Sequence, residues 1–175
     1  MNLPNILSIS RILLLFPIII FFEYELHILS LITFVIASIT DFLDGYFARM
    51  YKISSDLGSL LDLLADKIFI STLLIWMTFN FESLTVLICS ILIVSREISI
   101  SYLRLFIISK TKNVQELKAD ILGKYKTAIQ MIGLGLILIS PLISNFVFSV
   151  SLFFISFSAI ISWYSFVKYL NKWIV

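Results

Sequence analysis

Long apolar segments fill nearly the whole sequence and restrict what kind of protein this chain can form. Hydrophobic residues make up 60% of its 175 residues and charged residues only 14%, and the mean hydropathy is +1.06. A helix needs about 20 consecutive, mainly apolar residues to cross the hydrocarbon core of a bilayer, whereas soluble domains carry more charge. The sequence therefore predicts a single all-α, polytopic membrane domain over residues 1–175.

Short polar or turn-forming stretches divide the chain into six apolar segments. The predicted transmembrane helices are Ile6–Phe22, Ile28–Arg49, Gly58–Phe79, Leu84–Ser109, Ala119–Ser140 and Phe146–Tyr169. With six spans, all 13 Lys and Arg residues fall on one side of the membrane. The opposite loops hold only Glu23, Glu25, His27 and Glu82. Because positively charged flanks stay in the cytoplasm, both termini are expected to be cytoplasmic.

The charge balance and the cysteine count exclude several classes of function. A net charge of +2 is too small to indicate nucleic-acid binding. The single Cys89 cannot form an intramolecular disulfide, and together with the single His27 it does not make a zinc-ligand set.

Four aspartates lie within segments that otherwise look membrane-bound. Asp41 and Asp44 are three residues apart and Asp62 and Asp66 four apart, so each pair shares one face of its predicted helix. Both pairs lie toward the cytoplasmic ends of consecutive helices, and the four carboxylates are expected to converge. A bare cluster would be unfavourable because like charges repel. All-oxygen ligands favour Mg²⁺ or Mn²⁺, and two metal ions are typical of phosphate chemistry.

Small residues beside the aspartates leave room for a ligand to approach the helix backbones. These are Gly45, Ala48 and Gly58. Arg49 can bind a phosphate through two hydrogen bonds. Close helix–helix packing is an alternative explanation for the three small residues, since membrane helices favour them at their contacts.

These residues together resemble the CDP-alcohol phosphatidyltransferase family. Every defined position of the family signature is matched by Asp41-x-x-Asp44-Gly45-x-x-Ala48-Arg49, eight further residues, and Gly58-x-x-x-Asp62-x-x-x-Asp66. The segments NLPNILSISRI, LADK, SREISISYLR and LGKYKTAIQM are similar, though less strictly, to the bacterial branch of the family that uses glycerol 3-phosphate.

The resemblance implies a six-helix homodimer of the bacterial inner membrane with its active-site cavity open to the cytoplasm. The implied reaction transfers the phosphatidyl group of CDP-diacylglycerol to sn-glycerol 3-phosphate and releases CMP. It also implies a divalent metal, Mg²⁺ or Mn²⁺ and two ions, held by Asp41, Asp44, Asp62 and Asp66. Asp66 is then expected to be the general base that accepts the proton of the alcohol.

The resemblance further implies a nucleotide pocket. Its expected residues are Gly45, Ala48, Arg49 and Gly58, joined from the first helix by Asn5 and Ser8. Helix capping by Asn5 or Ser8, and an Arg11 that only sets topology, remain alternatives for the N-terminal segment.

A second cationic group on later helices is predicted to bind the phosphate of the acceptor. Arg96 and Arg104 are eight residues apart, about 80° around a helix and ~12 Å along it, so their side chains could reach one dianion. Lys124 and Lys126 approach from the next helix. An unpaired Arg96 would be costly among apolar neighbours unless it met Glu97 or a phosphate.

Two other functions remain open at this point. The signature defines the CDP end of the reaction only, so cardiolipin, phosphatidylserine or inositol-phosphate synthesis within the same family is an alternative. A divalent-cation transporter is a more remote one, because carboxylates within a membrane can line an ion path.

Overall fold

Six α-helices form the described parts of the chain. The computed structural model describes the backbone of residues 3–51, 56–111 and 121–174, and the side chains of residues 6, 8–40, 64–103, 106 and 125–171. The helices are α1 (Leu3–Glu23), α2 (His27–Tyr51), α3 (Asp56–Phe81), α4 (Leu84–Thr111), α5 (Ile121–Ile143) and α6 (Asn145–Ile174). The prediction of an all-α fold is confirmed, and the described part of each predicted segment falls on one helix.

Four of these helices are long and apolar enough to cross a bilayer. The stretches concerned are Leu64–Phe81, Leu84–Leu103, Tyr125–Ile143 and Asn145–Asn171. A shorter apolar stretch, His27–Thr40, lies in α2. Large apolar side chains such as Phe16, Ile91 and Ile160 face outward and are exposed. Outward-facing apolar surface on several helices is consistent with a membrane protein. Side chains of α1 and α2 are described only in part, and six spans remain a prediction.

Hydrogen bonds between helices show that α1 and α3 run in the same direction and that α4 runs opposite to α3. The Glu23 carboxylate at the end of α1 accepts hydrogen bonds from Trp76 (3.0 Å) and Asn80 (3.1 Å) at the end of α3. Ser90 of α4 donates to the Leu74 carbonyl of α3 at 3.2 Å. One end of the bundle therefore carries the C-termini of α1 and α3, and the other carries their N-terminal halves.

A left-handed residue closes the first of these reversals. Glu25 has a φ of 60°. Its N–H donates to the Phe22 carbonyl at 2.9 Å, and the Leu26 N–H donates to the Phe21 carbonyl at 2.8 Å. This is the Schellman pattern, in which the last carbonyls of a helix are satisfied by the residues that follow. It ends α1 and turns the chain back along α2.

The interior of the bundle is apolar and includes residues of all six helices. Its fully buried members are Ile18, Ala37, Phe69, Leu73, Leu74, Met77, Val86, Leu134, Ile137, Leu138 and Ile155. Buried serine hydroxyls in this interior donate hydrogen bonds to backbone carbonyls. Ser30 of α2, for example, donates to the Ile18 carbonyl of α1 at 2.8 Å. Short polar side chains of this kind join membrane helices without leaving an unsatisfied group.

Close approach of α5 to α6 depends on a glycine. A Cβ placed on Gly133 would lie 2.7 Å from Ile155 Cγ1 and 3.2 Å from the backbone nitrogen of Ile155. Neither atom is the free end of a flexible side chain. Gly135, on the same helix, would place a Cβ no closer than 3.5 Å to Phe34, which is ordinary contact.

We expect Gly133→Ala to destabilise the protein and Gly135→Ala to leave it unchanged or slightly more stable. Overpacking costs about 1–3 kcal/mol, which exceeds the gain of roughly 1 kcal/mol from replacing glycine in a helix. The measurement is the melting temperature of the two purified variants in the same detergent. Equal melting temperatures for both would contradict the packing described here.

Candidate active site

The aspartate motif is divided between two consecutive helices. Asp41 and Asp44 are in the C-terminal half of α2, and Asp62 and Asp66 are in the N-terminal half of α3. Both helices are continuous through these positions, so each pair shares a helix face. Of the four side chains, only that of Asp66 is among those described.

Several other predicted site residues also lie outside the described side chains. This applies to the nucleotide-pocket residues Asn5, Gly45, Ala48, Arg49 and Gly58. It applies as well to Arg104 and Lys124 of the predicted acceptor pocket. Their assignments therefore remain predictions.

Asp66 forms an ion pair with Arg11 of α1. Arg11 Nη1 lies 3.6 Å from Asp66 Oδ1. The Arg11 side chain is fully buried, whereas that of Asp66 is 37% exposed. Ser8, one turn before Arg11, is also buried. The N-terminal helix thus reaches the last aspartate of the motif.

A second charged cluster centres on Glu97 of α4. Glu97 Oε1 accepts from Arg96 Nη1 at 2.9 Å and from the Lys126 ammonium of α5. Arg96 Nε also donates to the Ser162 carbonyl of α6 at 3.1 Å. The Ser162 hydroxyl lies 3.5 Å from Lys126 Nζ. Three helices are therefore joined through one carboxylate and one serine.

The backbone carbonyl of Glu97 is also connected to α3, the helix that carries Asp66. Lys67 follows Asp66 on α3, and its ammonium contacts Ser101 Oγ and lies 3.5 Å from the Glu97 carbonyl. Ser101 Oγ in turn donates to that carbonyl. Lys67, whose role the sequence did not indicate, therefore lies against α4.

Two of the cationic side chains in this cluster are buried. Arg96 and Lys126 are both 6% exposed and contact the Glu97 carboxylate, whereas the contact of Lys67 is with the Glu97 backbone carbonyl. Burying charges is costly unless they are paired and hydrogen-bonded, and each contact to Glu97 reduces this cost.

The structure brings together two of the predicted acceptor residues, and the other two, Arg104 and Lys124, lie outside the described side chains. Arg96 and Lys126 meet, as their predicted approach from neighbouring helices requires. Both contact Glu97. The sequence indicated Glu97 only as one possible partner of Arg96, not as the common partner of both cations. The participation of Ser162 was missed because α6 carries many serines at similar spacing and nothing in the sequence distinguishes this one.

No group of three or more metal-ligating side chains occurs among the side chains that are described. Three of the four motif aspartates fall outside that set. A set made only of carboxylates is chemically suited to Mg²⁺ or Mn²⁺. The metal site therefore remains a prediction from the sequence and the donor chemistry.

Comparison with known proteins identifies the class to which this fold and charged site belong. The family model of the CDP-alcohol phosphatidyltransferases matches residues 1–167. The chain therefore belongs to the CDP-alcohol phosphatidyltransferase family, as its signature indicated.

Individual relatives share a more specific name. A CDP-diacylglycerol–glycerol-3-phosphate 3-phosphatidyltransferase of Rickettsia bellii is 34% identical over 180 residues, covering 98% of this chain and 97% of the relative. Proteins of the same name from Rickettsia prowazekii and Salmonella typhimurium are 33% and 30% identical, and the alignments cover 95% and 97% of this chain. They cover 94% and 93% of those relatives.

Proposed function

We propose that this chain transfers the phosphatidyl group of CDP-diacylglycerol to sn-glycerol 3-phosphate and releases CMP. The observation that carries the proposal is the similarity, at 30–34% identity over nearly the full length, to proteins named for that reaction. Family membership alone leaves the acceptor open. The positively charged cluster around Arg96 and Lys126 supports an acceptor that carries a phosphate.

The donor end of the reaction is assigned to the motif on α2 and α3. Asp41, Asp44, Asp62 and Asp66 would hold Mg²⁺ or Mn²⁺, which supplies positive charge beside the diphosphate. The nucleotide pocket is assigned to a set of small and polar residues near those aspartates. Its proposed members are Asn5, Ser8, Gly45, Ala48, Arg49 and Gly58.

Asp66 is proposed as the general base. Its side chain is 37% exposed and lies beside Arg11, so a substrate can reach it. It would accept the proton of the primary hydroxyl of glycerol 3-phosphate. The hydroxyl oxygen then bonds to the phosphorus of the phosphatidyl group, and the bond from that phosphorus to the CMP oxygen breaks.

The acceptor end is assigned to Arg96, Arg104, Lys124 and Lys126. Arg96 and Lys126 converge from α4 and α5, with Lys67 linking the same region to the helix that carries Asp66. A phosphate bound there would leave the hydroxyl end of the short acceptor free to point toward α3. Holding both reactants in this way removes much of the entropic barrier.

We further propose that the enzyme is a homodimer with six spans in the bacterial inner membrane, with both termini and the active site in the cytoplasm. The segregation of Lys and Arg in the sequence supports this orientation. Family membership favours a transferase over the cation transporter that the aspartates alone left open. Serine, inositol phosphate and phosphatidylglycerol remain alternative acceptors within the family, and an acceptor panel distinguishes them.

Purified protein supplied with CDP-diacylglycerol that is radiolabelled in its phosphatidyl group, and with Mg²⁺ or Mn²⁺, should convert the label into a new lipid product. This conversion should be fastest when the acceptor is glycerol 3-phosphate. The comparison is a panel of glycerol 3-phosphate, serine, inositol 1-phosphate and phosphatidylglycerol, each at matched concentration and with a metal-free control. Faster turnover of any other acceptor would overturn the proposed acceptor but leave the family assignment intact.

Asp62→Asn and Asp66→Asn should both reduce transfer to a small residual rate, but for different reasons. The first should raise the metal concentration needed for half-maximal residual activity, whereas the second should mainly lower kcat because the base is lost. Metal titration of both variants separates the two effects, with Glu82→Gln in the loop between α3 and α4 as the control. Substantial turnover by Asp66→Asn at saturating metal would show that Asp66 is not the base.

The proposed orientation predicts which positions a membrane-impermeant maleimide can reach. In a Cys89→Ala background, cysteines at Lys52 and Lys112 should react only from the cytoplasmic side, and a cysteine at Asn80 only from outside. Labelling of intact cells and of inverted vesicles makes the comparison. Reaction at Lys52 in intact cells would contradict both the six-span arrangement and the cytoplasmic active site.

A further inference from the structure

We propose that Glu97 is a positioning residue that orients the acceptor-binding cations relative to Asp66. The inference rests on the proposed function and adds a residue to it. Glu97 carries a negative charge, so it cannot attract a phosphate itself. It nevertheless contacts two of the proposed phosphate-binding side chains and is connected to the helix of the proposed base.

The carboxylate determines where the two cationic groups lie. Arg96 Nη1 and the Lys126 ammonium both contact the same oxygen, Glu97 Oε1. Arg96 is held at a second point, because its Nε donates to the Ser162 carbonyl at 3.1 Å. An arginine bonded at two points cannot turn its guanidinium freely. Because both cations contact the same carboxylate oxygen, only that oxygen separates them. They are therefore close enough for a single phosphate to contact both.

The backbone of the same residue connects these cations to α3. The Glu97 carbonyl accepts from Ser101 Oγ and lies 3.5 Å from Lys67 Nζ, and Lys67 directly follows Asp66. The ammonium of Lys67 also contacts Ser101 Oγ. A shift of α4 at Glu97 would therefore move the cations and the lysine beside the base together. This coupling keeps the distance from acceptor phosphate to base constant.

Loss of the negative charge of Glu97 should disturb the orientation of the bound glycerol 3-phosphate more than its affinity. Without the carboxylate, the buried Arg96 and Lys126 repel each other and lose their common partner. The site nevertheless becomes more positive, which does not weaken attraction of a dianion. A small misplacement of a reacting group can cost about 100-fold in rate. The effect is therefore expected on kcat and not on the KM for glycerol 3-phosphate.

Glu97→Gln keeps an oxygen acceptor of the same length and removes only the charge. We expect its kcat to fall by about 10-fold to 100-fold, with no rise in KM for glycerol 3-phosphate and an unchanged KM for CDP-diacylglycerol. Glu97→Asp keeps the charge and should turn over faster than Glu97→Gln. Ser99→Ala, on the same helix, removes only a hydrogen bond to the Ser95 carbonyl and should match the unaltered protein.

Melting temperatures in detergent show whether each variant is folded. If Glu97→Gln does not fold, Ser101→Ala tests the same link, since it removes the hydroxyl between Lys67 and the Glu97 carbonyl. We expect a fall in its kcat with both KM values unchanged.

Two results would overturn the proposal. The first is unaltered kcat in a folded Glu97→Gln or, failing that variant, in Ser101→Ala. The second is a parallel change of kcat and both KM values in Glu97→Gln and Glu97→Asp, which would indicate a structural role only. If the unaltered protein uses glycerol 3-phosphate, such results reject only the role of Glu97; if it does not, the proposed function fails independently of these variants.

Discussion

The contact of two buried cations with the single carboxylate of Glu97 is the interaction on which the arrangement of α4, α5 and α6 depends. Arg96 and Lys126 are each 6% exposed, and a lone charge at such a position would be strongly unfavourable in an apolar surrounding. Glu97 and the Ser162 carbonyl reduce that cost. Because the two cations and their partners together come from three helices, the charges can be buried only when the helices are correctly placed.

The ion pair between Arg11 and Asp66 likewise joins two helices through a buried cation. Arg11 is fully buried and reaches Asp66 across α1 and α3. Lys67, the next residue, contacts α4. The end of the bundle that holds the aspartate motif is therefore joined by charged contacts, whereas the interior toward the opposite end is joined by apolar packing, serine hydroxyls and the close approach at Gly133. A rigid apolar half can support a polar half that binds charged substrates.

The sequence predicted the all-α fold, because apolar segments of bilayer length have few alternatives. It also predicted the family, because the spacing of the aspartates and glycines is specific. It did not predict that Arg11 pairs with Asp66, since residues 55 positions apart meet only through tertiary packing. The sequence likewise indicated neither Ser162 nor the close packing at Gly133, because these depend on the rotation of each helix about its axis, which apolar faces on all sides do not determine.

We propose that one end of this bundle places the donor aspartates and the acceptor cations around a single reaction centre. The most direct test is a crystal structure of the protein with Mn²⁺, CDP-diacylglycerol and glycerol 3-phosphate, examined by anomalous scattering. We expect manganese peaks among the carboxylates of Asp41, Asp44, Asp62 and Asp66, with the acceptor phosphate against Arg96 and Lys126. Manganese away from these aspartates, or an acceptor phosphate that contacts neither cation, would contradict it.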